Sequence, residues 1–166
     1  MQTQFQTCLV AAVDEPLYLP MSDTQRWHEI QFAHGYFNSA LHELAHWCVA
    51  GFERRQLTDY GYWYEPDGRT AEQQREFERV EVRPQAIEWH LTLASNRRFQ
   101  VSVDNLSGEP TDAAPFRESV RRQAWQFQEN GLPDRAQTLV GLISQAFGTD
   151  QTSFSFGSSA TGASDS

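Results

Sequence analysis

The sequence predicts an α+β fold, a single helix-rich domain with a small β-sheet. Three observations carry that expectation. Near-alternation of apolar and polar residues is confined to short stretches, as half-buried strands require. Over several longer stretches the apolar residues recur at three- and four-residue steps, as amphipathic helices require. Finally, 166 residues, 39% of them hydrophobic, suffice for one core of ordinary size.

Leu17-Tyr18-Leu19-Pro20 and the stretch around Ile30 and Phe32 are the first extended segments, with Pro20 closing the earlier one. The period then changes. From Asn38 or Ser39, both good N-caps, Leu41, Leu44, Ala45, Cys48 and Phe52 form one apolar stripe of a helix that Gly51 helps to end. Tyr60, Tyr62 and Tyr64 alternate into Pro66-Asp67-Gly68, a strand leaving through a turn. A polar helix is predicted over about Thr70 to Val80. Pro84 suits the first position of a separate helix carrying Ile87, Leu91 and Ala94, after which Phe99, Val101 and Val103 alternate as a strand. Two helices close the domain, one with Phe116, Val120 and Phe127 ending at Gly131, the other running from Pro133 with Ala136, Leu139, Val140, Ile143 and Phe147. The folded unit is thus expected over residues 14–147, after a short N-terminal segment 1–13. From Gly148 to Ser166 the composition collapses to Ser, Gly, Thr and Ala with Phe154 and Phe156, so a disordered tail is expected there.

Thirteen Lys and Arg against twenty-two Asp and Glu give a net charge of -9, which opposes binding to a phosphate backbone or an anionic lipid surface. A mean hydropathy of -0.61 argues against an integral membrane protein. Nucleic acid and membrane are therefore not expected partners. Cys8 and Cys48 are too few for a disulfide framework, and Met1 to Ala12 lacks a basic region ahead of the apolar run Cys8 to Val13. A cytoplasmic location is expected.

His42-Glu43-Leu44-Ala45-His46 is an H-E-x-x-H sequence inside a predicted helix. On that helix the two histidines fall about 40° apart, one turn above each other, so both imidazoles can reach one ion. They flank the apolar stripe instead of joining it, as ligands at the rim of a core do. Exposed helix histidines beside a solvated Glu43 are the plainer alternative, but histidine is scarce, five in all, and the context is apolar. A third ligand has to come from elsewhere, and Glu78, Glu81 and Glu88 compete for it. If the helix from Thr70 runs past Val80, Glu81 lies four residues after Phe77 on the buried face and Glu78 turns to solvent, which favours Glu81. The alternative for Glu81 is a partly buried acid paired with Arg79 or Arg83. Two histidines and a carboxylate serve two chemistries. Zinc with an open position and Glu43 as general base gives a small metallopeptidase, whereas Fe(II) with the three ligands on one face gives an oxygenase. A purely structural metal site in an interaction module is the third possibility.

His42 to Cys48, Ala50-Gly51, Arg54-Arg55, and the block Asp59-Tyr60-Gly61-Tyr62-Trp63-Tyr64 with Pro66-Asp67-Gly68-Arg69 resemble the bacterial elongation factor P hydroxylase family. The likeness continues through Phe77-Glu78, Val80-Glu81-Val82, Pro84-Gln85-Ala86 and Val103-Asp104-Asn105-Leu106, and upstream through Glu15 to Pro20 and Phe32 to Gly35. It covers most of Asp14 to Pro133. The resemblance implies a non-haem iron monooxygenase that uses dioxygen to hydroxylate a lysine of elongation factor P, its protein partner, after β-lysine has been attached. It also implies a 2-His-1-carboxylate set in which His42 and His46 match the family's histidines and Glu81 matches the acid of its Val-Glu-Val segment. Glu43 then orients a ligand or holds water. A β-lysylated lysine is a long cationic arm, for which Tyr62, Trp63, Tyr64, Asp67 and Asp104 are candidate seats. The family usually carries a longer helical segment ahead of its Glu-Pro-x-Tyr-Leu-Pro, where this chain has Met1 to Val13, and the Ser/Gly-rich tail is not a family trait.

Overall fold

A computed structural model of the chain describes residues 2–61, 68–103 and 112–156. A one-turn helix α1 (Gln2–Phe5) leads into a three-stranded sheet of β1 (Thr7–Ala12), β2 (Leu17–Leu19) and β3 (His28–Ala33) in the order β1-β3-β2. The last two are the extended segments anticipated around Tyr18 and Ile30. They pair antiparallel with Tyr18 opposite Ile30, and both side chains are buried. β1 is an addition. It runs parallel to β3 from Thr7 opposite His28 to Ala12 opposite Ala33, which draws residues ahead of Asp14 into the fold. Its unbroken apolar run lacks the alternation that marks a strand, so periodicity alone does not reveal it.

A tight turn with His34 and Gly35 both at positive φ, 50° and 71°, closed by Tyr36 N–H donating to Ala33 O at 2.9 Å, reverses β3 into helix α2 (Phe37–Val49). The helix begins ahead of the anticipated caps because the Ser39 hydroxyl instead accepts from the Ala33 N–H. Its stripe of Leu41, Leu44, Ala45 and Cys48 is buried as expected. Phe52 is not part of it and stands 72% exposed, since the helix stops at Val49. Arg135 from a later helix donates to the carbonyls of Trp47, Cys48 and Ala50, and Arg55 donates to Ala50 O at 2.7 Å, so cations answer the helix's C-terminal acceptors.

Tyr60 is not in a strand. It lies in a 3-10 turn, Thr58–Gly61, while Tyr62 and Tyr64 of the anticipated strand lie outside the described residues. Thr70 then caps helix α3 (Ala71–Ala94) with a full capping box to Gln73. The two helices expected on either side of Pro84 are this one element. Its buried face, which includes Phe77, Glu81, Pro84, Gln85, Ile87 and Leu91, continues across the proline, and that shared burial outweighs the missing backbone bond. Phe99, Val101 and Val103 form no strand either. The Gln85 amide takes the place of a neighbouring strand, donating to Ser102 O at 2.8 Å and accepting from Ser102 N–H at 3.1 Å, while Gln74 donates to Val103 O.

Helices α4 (Ala114–Asn130) and α5 (Asp134–Phe147) follow as predicted, the first ending at Gly131 as expected and the second capped by Gly148. α3 lies at the centre and packs on α2, α4 and α5, with strand β3 of the sheet packed on α2. Beyond α5 the chain differs from the expected tail as far as Phe156. Phe156 is buried against Trp89, His90 and Trp125. No helix among the described residues is long and apolar enough to cross a membrane.

Candidate metal centre

Two polar stripes face each other where α2 packs on α3. Residues 42 and 46 stand one turn apart on α2, and 81, 85 and 88 stand at i, i+4 and i+7 on α3, so each set occupies one helix face. The unbroken helix through Pro84 keeps Glu81 and Glu88 in one line. A new helix begun at Pro84 would have left their relative orientation to a loop.

The stripes converge at their centre. His42 Nε2 and His46 Nε2 are 3.0 Å apart, and Glu81 places Oε1 3.1 Å from His46 Nε2 and Oε2 3.9 Å from His42 Nε2. Taking one ligand atom from each residue, all lie within 4.8 Å of one another, the only such grouping of three or more among the described residues. Of the three competing acids, Glu81 is thus the one that meets the Nε2 atoms of both histidines. Glu78 accepts from Gln74 instead. Neither arginine offered as a partner for Glu81 takes that place, because Arg79 pairs with Glu76 and Arg83 sits over the Phe127 ring.

Glu88, the third competitor, lies behind the cluster. Its Oε2 is 2.9 Å from His42 Nδ1, the nitrogen facing away from the convergence. A carboxylate there holds the imidazole with Nδ1 protonated and the Nε2 lone pair turned inward, the arrangement that metal-bound histidines use. Gln85 donates to Glu81 Oε2 at 3.4 Å, so the same amide that ties down Ser102 also steadies the acid.

Electrostatics agree with a cation site. Burial works against protonating His42, but the Glu88 hydrogen bond and the charges of Glu81, Glu88 and Glu43 outweigh it and lift its pKa to about 10. Burial likewise raises Glu81, yet the charge and hydrogen bond of His46, with His42 and Gln85, hold it down at about 2. The cluster is a buried carboxylate that holds positive charge beside it. The two Nε2 atoms stand at hydrogen-bond distance, 3.0 Å, and a divalent cation bound by the same atoms would supply positive charge in place of a proton.

The comparisons with known proteins bear on what such a site serves. Residues 1–156 match the sequence profile of the Elongation factor P hydroxylase family. The chain belongs to that family. The Elongation factor P lysine hydroxylase of Haemophilus influenzae is 50% identical over 149 residues, covering 90% of this chain and 84% of the relative. Both matches are to hydroxylases, and neither favours a peptidase.

Within this Elongation factor P hydroxylase family member, Glu43 stands apart from the converging trio. Its charge acts on His46 and His42, but among the described residues no hydrogen bond joins it to either, and burial raises its pKa. Charge on Asp59, in the turn Thr58–Gly61, also acts on it. Of the suggested seats for a substrate arm, Tyr62, Trp63, Tyr64, Asp67 and Asp104 all lie outside the described residues. Sequence reasoning missed Gln85 and the backing role of Glu88. The i, i+4, i+7 spacing from Glu81 was the available signal, hidden by the assumption that Pro84 starts a helix.

Proposed function

We propose that this chain is an iron-dependent hydroxylase of elongation factor P, oxygenating its (β-lysyl)lysine as the last step of that modification. The observation that carries the reading is the convergence of His42, His46 and Glu81 in a chain of this family, with Glu88 backing one imidazole. Two neutral imidazoles and one carboxylate suit Fe(II) and leave coordination positions open. Bound iron would supply the centre at which dioxygen, the co-substrate, is activated.

The chain's own residues have separate tasks in this account. His42 and His46 present Nε2 to the ion, and Glu81 presents its carboxylate and balances the charge. Glu88 holds His42 in the metal-binding tautomer, and Gln85 keeps Glu81 from rotating. Glu43 holds water or a polar group of the substrate instead of acting as a peptidase base. All thirteen cationic side chains are arginines and the chain contains no lysine, so a lysine substrate has to come from another molecule. A long cationic arm is drawn toward the acidic groups around the centre, and Tyr62, Trp63, Tyr64, Asp67 and Asp104 remain our candidates for seating it. A translation factor as substrate places the reaction in the cytoplasm.

The test is intact-mass analysis of β-lysylated elongation factor P after incubation with the Fe(II)-loaded chain, dioxygen and a chemical reductant. A gain of one oxygen is expected with the wild type and none with His42→Ala or His46→Ala. Product from either variant would overturn the metal-centred reading.

A further inference from the structure

Beyond α5 the chain folds back on the helices and closes a cavity that takes no part in the metal centre. Thr149 Oγ1 donates to Ala94 O at 2.7 Å, and the Asp150 carboxylate accepts from Thr152 N–H at 2.9 Å, capping the turn Gln151–Ser153. Gln151, Thr152 and Phe154 then line a cavity of about 240 Å³ together with residues of α3, α4 and α5. Phe127, Leu132 and Val140 add to its apolar walls. Gln137, whose amide donates to Gln151 Oε1 at 3.4 Å, adds to its polar ones. Among the described residues, no carboxylate, lysine or arginine lines it, which disfavours an ionic ligand.

The α3 residue in the cavity wall is His90, a histidine only 2% exposed. Its Nε2 is 3.0 Å from Ala124 O, so Nε2 carries the hydrogen and Nδ1 the lone pair. Burial holds the pKa of the ring below its ordinary value, which keeps the imidazole neutral. The bond to Ala124 accounts for one nitrogen, and among the described residues no hydrogen bond reaches the other. Residue 90 stands nine positions beyond Glu81, half a turn around α3, so the cavity and the metal centre lie on opposite faces of that helix. A dry cavity of about 150 Å³ already holds benzene, and this larger one has room for two fused rings. We propose that it is a second binding site, for an uncharged, flat and largely apolar molecule of that size, with its rings against Phe127 and Phe154 and a single N–H or O–H donating to His90 Nδ1. The folded-back segment is what gives the site its wall.

Titration of the full chain with indole, followed by NMR, tests the proposal, with benzofuran as the isostere whose ring oxygen replaces the N–H. Indole is expected to saturate with a Kd of about 1 mM, and benzofuran to bind about tenfold more weakly because it leaves Nδ1 unpaired. The ¹⁵N resonance of His90 Nδ1 should move as indole binds, while that of Nε2 stays nearly fixed. Leu132→Trp, which fills the cavity from a half-buried position, should weaken indole at least about tenfold. No saturable indole binding up to about 10 mM, benzofuran binding as tightly as indole, or an unmoved Nδ1 resonance would each overturn the proposal, as would full indole affinity in folded Leu132→Trp. The first three readouts use the wild type, so they decide the matter even if the variant fails to fold.

Discussion

Glu88 Oε2 lies 2.9 Å from His42 Nδ1, on the opposite side of the ring from the nitrogen that meets His46 and Glu81. A bonded ring cannot turn its other nitrogen away, so this contact sets the direction of a ligand it does not itself join. Glu88→Ala is expected to weaken Fe(II) binding about 10- to 100-fold, with Glu88→Gln intermediate because its amide oxygen can still accept from Nδ1–H. Anaerobic titration with Fe(II) measures this, and unchanged affinity in Glu88→Ala would show that the carboxylate is only a neighbour.

The metal-free protein should have an unusual pH profile. His42 is raised from 6.5 to about 10, so its contribution to stability is complete below pH 6.5 and is lost as the pH climbs toward 10. Glu81 is lowered from 4.5 to about 2, so its contribution is complete above pH 4.5 and is lost as the pH falls toward 2. For these two groups the optimum lies between 4.5 and 6.5. Melting curves with a chelator should decline on both sides. With metal bound the alkaline decline should flatten, because the cation occupies the place of the proton. A chelated protein growing more stable from pH 6.5 to 10 would contradict the cluster as described.

Gln85 joins the site to the segment beyond α3 through its two bonds to the Ser102 backbone. Gln85→Leu leaves both backbone groups unpaired and should cost about 2–3 kcal/mol in urea unfolding. Gln85→Glu should weaken the metal-free protein in a second way, by setting another carboxylate beside Glu81. A neutral result for both would mean that water replaces the amide without loss.

Phe156 is 2% exposed and lies in a cluster with Trp89, His90 and Trp125. Phe156→Ala is expected to cost about 3–4 kcal/mol, measured by denaturant unfolding. A loss below about 1 kcal/mol would show that the segment can leave the core at little cost.

Helix α2 was legible in the sequence because its apolar stripe and its histidines share one 3.6-residue period. α4 and α5 were legible for the same reason, with Gly131 marking the end of the first and Pro133 the start of the second. What escaped depends on contacts distant in sequence. β1 is a strand because β3 pairs with it. Residues 101–103 look like a strand but bond to two glutamine side chains of α3. Pro84 carries a strong local signal for a helix start, and packing on both sides of it overrides that signal. The buried position of Glu81 was legible because burial follows helix period. The task of Glu88 could not be seen until α3 was known to be continuous.

The central claim is that His42, His46 and Glu81 bind one metal ion together. Iron analysis of anaerobically purified protein tests it most directly: one Fe(II) per chain in the wild type, falling to near zero in each of His42→Ala, His46→Ala and Glu81→Ala while circular dichroism stays unchanged. Full iron occupancy in any one of the three folded variants would contradict it.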